Sequence, residues 1–184
     1  GLGKLGLPCA LAIEQHGHTV IGHDVSQRVM ENVRTREIPY REEGAREALE
    51  RSKVRLGSAR EVVESSDIIF VAIQTPHEER YEGVTRLPDE RVDFDYSYLV
   101  EGVASLAKAI EAVGEDRIVV IISTVLPGTI RREIMPLLGK HVKLCYNPFF
   151  IAMGTTMRDF LEPEFVLLGV DDERAASVVE EFYG

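Results

Sequence analysis

Gly1-Leu2-Gly3-Lys4-Leu5-Gly6-Leu7-Pro8 reads G-x-G-x-x-G at the point where a strand should hand over to a helix. In such a turn the first glycine permits a tight bend, the second lets the backbone come close to a pyrophosphate, and the third allows the helix to pack against the sheet. The free N–H groups and positive dipole end of the following helix supply the attraction for the anion. Three glycines at this spacing also occur in ordinary turns, so the rest of the chain has to decide between the two readings. Because the pattern opens at residue 1, the apolar strand that such a turn follows is expected upstream. The chain therefore reads as a fragment of a longer protein, a doubly wound parallel sheet truncated at its first strand.

Working outward, Leu5, Leu7, Ala10, Leu11 and Ile13 recur at helical spacing and predict a helix to about His16-Gly17. The run His18 to Asp24 predicts a strand ending in an acid. Asp24 stands 18 residues after Gly6, close to the roughly 20 expected of a carboxylate that binds the adenosine ribose of a dinucleotide. A helix N-cap for Ser26 to Arg34 is the other role open to it, and the spacing favours ribose. A carboxylate there repels a 2′-phosphate, which favours NAD over NADP, while Arg28 one turn on pulls the other way.

Residues 36–53 read as a solvated connection with a short helix, its acids Glu42, Glu43 and Glu47 forming a solvated face. Val54 to Leu56 reads as a brief strand and Ser58-Ala-Arg-Glu61 as a capping box. Asp67 to Ile73 is a nearly continuous apolar run of the kind found in parallel strands covered on both faces. It ends in Gln74-Thr75-Pro76-His77, at the sheet edge where open α/β folds bind ligands. Residues 77–93 form a long loop of mixed charge. Asp95 is expected to cap a helix to about Glu111, and Arg117 to Val125 to form a strand with Ser123 and Thr124 at its carboxyl end. Pro127-Gly128-Thr129 should open a helix, followed by strands at Val142 to Tyr146 and Phe165 to Leu168 and a helix from Asp171. Alternating strands and helices call for one α/β domain with a parallel sheet.

Composition narrows the function classes. A chain of 184 residues with 45% hydrophobic content can bury one sizeable core. A formal net charge of -10 argues against nucleic acid or an anionic membrane as partner. Apolar runs such as Ile118 to Ile122 fall far short of the roughly 20 residues that a membrane span needs. Cys9 and Cys145 lie in separate apolar stretches, as buried thiols of a reduced, cytoplasmic protein do. The five histidines give no cluster at metal-ligand spacing, and His77 reads as a loop residue.

The ordered set Gly1 to Pro8, Asp24-Val25, Glu37-Ile38-Pro39, Asp67 to Pro76, Ser123-Thr124-Val125-Leu126-Pro127-Gly128-Thr129, Asn147-Pro148 and Asp159 to Pro163 resembles the NAD-binding domain of the UDP-glucose/GDP-mannose dehydrogenase family. The resemblance covers nearly all of the chain. It implies an oxidoreductase that converts the C6 hydroxyl of a nucleotide sugar, of the UDP-glucose or UDP-N-acetylmannosamine type, to a carboxylate with two NAD in succession. It further implies that Gly1, Gly3, Leu5 and Gly6 cradle the pyrophosphate, with Asp24 and Arg28 at the adenosine side. Thr75, Pro76, Ser123 and Thr124 would line the nicotinamide side, Thr124 also positioning a water near the reacting carbon. Asn147, Phe150 and Ile151 would meet the sugar nucleotide. Ser123 and Thr124 also fit a plain strand-end turn.

Two departures bear on the chemistry. The family's Asn-Pro-Glu-Phe-Leu-x-Glu-Gly reads Asn147-Pro148-Phe149-Phe150-Ile151-Ala152-Met153-Gly154 here, so both glutamates are apolar. The first, at Phe149, is the family's acid/base group for thioester hydrolysis, and a phenyl ring cannot move a proton. The family's central helix, C-terminal domain and Cys-x-Pro thiol segment are expected outside this stretch, with a homo-oligomeric parent protein. Three functions stay open: the four-electron nucleotide-sugar dehydrogenase, a two-electron alcohol oxidoreductase of the same fold, and a catalytically silent NAD-binding module.

Overall fold

The computed structural model describes residues 1–184. Two short parallel strands, β1 (Ile21–Gly22) and β2 (Arg55–Leu56), form one small sheet. A four-stranded sheet runs in the order β3 (Ile68–Val71), β4 (Arg117–Ile121), β5 (Val142–Tyr146), β6 (Gly169–Val170). The pairs β3·β4 and β4·β5 are parallel, and β6 joins antiparallel. Residues 1–3 lie between the two sheets: a Cβ on Gly1 would sit 2.2 Å from the Ala72 carbonyl oxygen, and one on Gly22 2.8 Å from the Leu2 side chain.

The central strand β4 explains the layering. All of Arg117–Ile121 is buried, because both faces of the sheet are covered. Val119 and Ile121 face one side and pack with Val63 of helix α4 (Ala59–Ser65) and Leu99, Val103 and Ile110 of α5 (Ser97–Val113). Ile118, Val120 and Ile122 face the other and pack with Cys9, Ala12 and Ile13 of α1 (Gly6–Gln15) and Ala175 and Val179 of α7 (Glu173–Tyr183). Helix α1 is buried along Gly6 to Ile13 because its opposite face meets a second layer. There Leu7, Ala10 and Leu11 pack with Val33 of α2 (Gln27–Arg34) and Ala45 and Leu49 of α3 (Ala45–Arg51). Helices on both faces of a mainly parallel sheet make this a Rossmann-like doubly wound α/β domain.

Local signals explain most element ends. Ser58 and Glu61 form the expected reciprocal capping box at α4. The α2 cap is Ser26, whose hydroxyl accepts from the Val29 amide. Asp95 accepts from the Ser97 amide at 2.9 Å, although Tyr96 occupies the cap position of α5. Gly114 ends α5 at φ +78, the left-handed region that glycine enters without a Cβ penalty.

Several elements depart from the sequence expectation, among them the strand expected over Arg117 to Val125, which ends at Ile121. The strand expected over His18 to Asp24 shortens to Ile21–Gly22, since only Arg55 and Leu56 pair with it. The helix expected after Thr129 is a π-helical turn, Ile130–Ile134, followed by a 3-10 turn, Met135–Leu137, where Pro136 has no N–H to continue a ladder. The last strand is Gly169–Val170 rather than Phe165 to Leu168, and it is antiparallel. Helix α6 (Thr156–Leu161) packs on α1 instead of crossing the sheet, so the chain enters β6 from the carboxyl edge of β5.

Leu99 is fully buried at the centre of the α5 layer. Leu99→Ala is expected to lower unfolding free energy by about 3 kcal/mol, read as a lower midpoint in a urea titration at unchanged slope.

Candidate functional site

The glycine turn is shaped by backbone contacts at two of its three glycines. A Cβ on Gly6 would lie 1.9 Å from the Gly1 carbonyl oxygen, and one on Gly1 would strike Ala72 as described above. A Cβ on Gly3 would meet nothing within 4 Å. Gly1 and Gly6 are thus required by the fold itself, while Gly3 opens onto free space. Gly1 serves by close approach to the end of β3. The turn is closed by the Leu7 amide donating to the Gly3 carbonyl at 3.1 Å, and no carboxylate stands in the first turn of α1 to compete for an anion. Leu5 occupies the cap position of α1 and is half-buried.

Asp24 sits beside this turn. Its Oδ2 accepts from the Leu2 amide at 2.7 Å and its Oδ1 from the Ser26 amide at 2.8 Å. The carboxylate thereby ties the end of β1 to the glycine turn, and Ser26 takes the helix-cap role that was open to Asp24. Arg28 is exposed on the first turn of α2.

The carboxyl ends of β3 and β4 meet through hydroxyls. Ser123 Oγ accepts from the Ile73 amide at 2.9 Å and is buried. Thr75 Oγ1 donates to the Thr124 carbonyl at 2.6 Å. Pro76 and Thr124 are exposed next to them. The Asp95 amide donates to the Pro76 carbonyl at 2.8 Å, pinning together the two ends of loop 77–93. His77 lies in that loop with its ring 5.4 Å from the Phe94 ring.

Beyond β5 the chain is aromatic. Asn147 is only 1% exposed, its side-chain amide donating to the Leu167 carbonyl at 3.0 Å and its oxygen accepting from the Tyr183 hydroxyl at 2.5 Å. These bonds occupy its side chain and fix where residues 148–151 begin. Phe149 is half-buried, edge-on to Phe160 at 5.3 Å. Phe150 is 60% exposed, its ring 4.6 Å from that of Phe165. Ile151 is half-buried, and Met153 is 66% exposed. Phe149, Phe150, Ile151, Phe160 and Phe165 line one cleft beyond the carboxyl end of β5.

Both cysteines are buried and free. Burial pushes the Cys145 thiol up to about 11, and burial followed by the nearby Glu42 charge pushes the Cys9 thiol further in the same direction. Neither is a thiolate near neutral pH.

One set of contacts escaped the sequence reading. Tyr40 donates to the Gly3 carbonyl at 3.4 Å. Its neighbour Glu42, expected on a solvated face, is half-buried and accepts from the Gly154 and Met157 amides, both at 3.1 Å. Pairing across 112 and 115 residues leaves no periodic trace in a single sequence. Glu43 and Glu47 are exposed as expected.

A glycine-lined turn opening a buried helix, with an acid held beside it at the end of the next strand, defines a dinucleotide-binding α/β domain. The chain belongs to the UDP-glucose/GDP-mannose dehydrogenase family: the description of its NAD binding domain matches residues 1–184. NAD is therefore its cofactor. The chain is 29% identical to GDP-mannose 6-dehydrogenase of Pseudomonas aeruginosa, over all of this chain and 42% of that protein. Among solved structures it is similar to a ternary complex of GDP-mannose dehydrogenase from the same organism, at TM-score 0.86 and 27% identity. It is also similar to a UDP-glucose dehydrogenase from Pyrobaculum islandicum, at TM-score 0.83 and 30% identity. Each covers all of this chain and 42% of the other. The chain thus spans about two-fifths of the length of the relatives it matches. No helix is long and apolar enough to cross a membrane.

The different surroundings of the glycines separate folding from binding. Gly3→Ala is expected to leave the urea midpoint unchanged and weaken NAD binding about tenfold or more by calorimetry. Gly6→Ala is expected to lower the midpoint sharply, because the clash is with backbone.

Proposed function

We propose that this chain is the cofactor half of an NAD-dependent nucleotide-sugar 6-dehydrogenase. In this reading the substrate is a UDP-glucose- or UDP-N-acetylmannosamine-type nucleotide sugar, oxidised at C6 to a carboxylate. The observation that carries the reading is the Asp24 carboxylate held 2.7 Å from the Leu2 amide, beside a glycine turn whose middle glycine faces open space.

The residues take these roles. Gly1, Gly3, Leu5 and Gly6 hold the pyrophosphate through backbone amides and the helix dipole. Asp24 accepts from the adenosine ribose hydroxyls, with Arg28 at its rim. Thr75, Pro76, Ser123 and Thr124 border the nicotinamide. The buried Ser123 fixes the strand ends, while the exposed Thr124 hydroxyl holds a water against the reacting carbon. Asn147, tied on both sides, sets the course of the next residues so that Phe150 and Ile151 meet the nucleotide sugar. Bound NAD supplies a hydride acceptor, so conversion of alcohol to carboxylate draws on two of them and one water. The parent protein is a homo-oligomer in this reading.

A second reading has its own observation. At Phe149 the ring packs edge-on against Phe160, so this position offers no carboxylate to activate water for the second half of the reaction. An enzyme whose water is not activated elsewhere stops at the aldehyde after one hydride transfer.

Full-length protein incubated with NAD and, separately, GDP-mannose, UDP-glucose or UDP-N-acetylmannosamine distinguishes the readings. The dehydrogenase reading predicts two NADH per sugar and a carboxylate product with at least one of them. One NADH and an aldehyde would favour the second reading, and no NADH from any sugar would overturn both.

A further inference from the structure

We propose that Glu42 is a positioning residue: its carboxylate straps the 147–157 segment to the glycine turn and so holds the sugar-nucleotide side of the site in register with the cofactor side. The inference rests on the nucleotide-sugar reading above and adds to it a residue outside the site's own loops.

The strap is built from contacts between segments more than a hundred residues apart. Each Glu42 carboxylate oxygen accepts one backbone N–H, Oε2 from Gly154 and Oε1 from Met157, both at 3.1 Å. The amide of Glu43 donates to the Gly154 carbonyl at 2.8 Å, so residues 42–43 engage both polar groups of that peptide position. Gly154 has φ +102, which an L side chain rarely adopts, and the turn it makes brings the chain from Met153 into α6. On the near side, Tyr40 donates to the Gly3 carbonyl at 3.4 Å. Burial, with the Glu42 charge as the second cause, pushes its phenol up to about 12, so it remains a donor across the neutral range.

Packing supports the same connection. Met157 is buried with Leu2, Leu7, Ala45 and Leu49, in the layer between α1 and α3. The segment 147–157 is thus anchored at its start by Asn147 and at its end by Met157 and Glu42. Phe150 and Ile151 lie between the two anchors and have no other backbone tie to the glycine turn. Charge-assisted bonds to two amides are stronger than neutral ones, and losing one of the two acceptors loosens the turn they hold.

Glu42→Gln keeps the shape and one acceptor but turns an NH2 toward a backbone N–H, so one of the two bonds is lost. In the full-length protein this variant is expected to speed amide exchange at 154–157 at least tenfold. It should raise KM for whichever nucleotide sugar the protein oxidises roughly tenfold, while kcat falls less than threefold and the Kd for NAD stays within twofold. Glu42→Asp, too short to span both amides, should behave like Gln. Unchanged exchange at 154–157 overturns the proposal, as does a rise in NAD Kd in step with KM, which would report general loosening. If the unsubstituted protein oxidises none of the sugars, the dehydrogenase reading fails by itself. The exchange measurement then still decides the strap.

Discussion

The whole domain depends on how closely the chain's first residues approach the end of β3. Gly1 lies against the Ala72 carbonyl and Gly6 against Gly1 itself, at separations that no residue with a Cβ could reach. That double approach drives α1 into the middle of the molecule, where it is covered by the sheet on one side and by α2 and α3 on the other. It also leaves the first turn of α1 without an acidic side chain of its own, the one carboxylate tied to the glycine turn being that of Asp24 on the Leu2 amide. The geometry that packs the core and the geometry that could receive an anion are one feature. This explains why the glycines differ in what they tolerate.

Much of this was legible because the physics is local. The capping box at Ser58 and Glu61, the buried β4 and the acid 18 residues beyond Gly6 follow from spacing and residue type alone. What was not legible depends on tertiary partners. The strand before Asp24 shrinks to two residues because only two residues of β2 pair with it. The direction of β6 depends on α6 packing against α1, and no periodicity encodes that choice. Glu42 looked like one more acid in a polar stretch, and its buried partners are backbone amides whose positions no side-chain pattern reveals. Asn147 could be placed at a strand end, but its full engagement by Leu167 and Tyr183 could not.

The region beyond β5 separates binding from chemistry. The fold, the glycine turn and the acid beside it are those of an NAD-binding domain, and the family match covers every residue. Phe149, Phe160 and Tyr183 form an aromatic wall there, which offers packing surface and no carboxylate at Phe149. With Asn147 hydrogen-bonded at one end of the segment and Glu42 at the other, such a wall suits orientation of a ligand better than activation of water. The chain's relatives are named for both GDP-mannose and UDP-glucose, so the shared fold goes with the cofactor and does not by itself name the sugar.

The central claim is that a carboxylate anchored to the glycine turn selects the adenosine ribose. The most direct measurement is a calorimetric comparison of NAD and NADP on the full-length protein and on Asp24→Ala. The account predicts that NAD binds at least tenfold more tightly than NADP, and that the substitution removes most of this preference. Equal affinity for the two dinucleotides in the unsubstituted protein, or a preference that survives loss of Asp24, would contradict it.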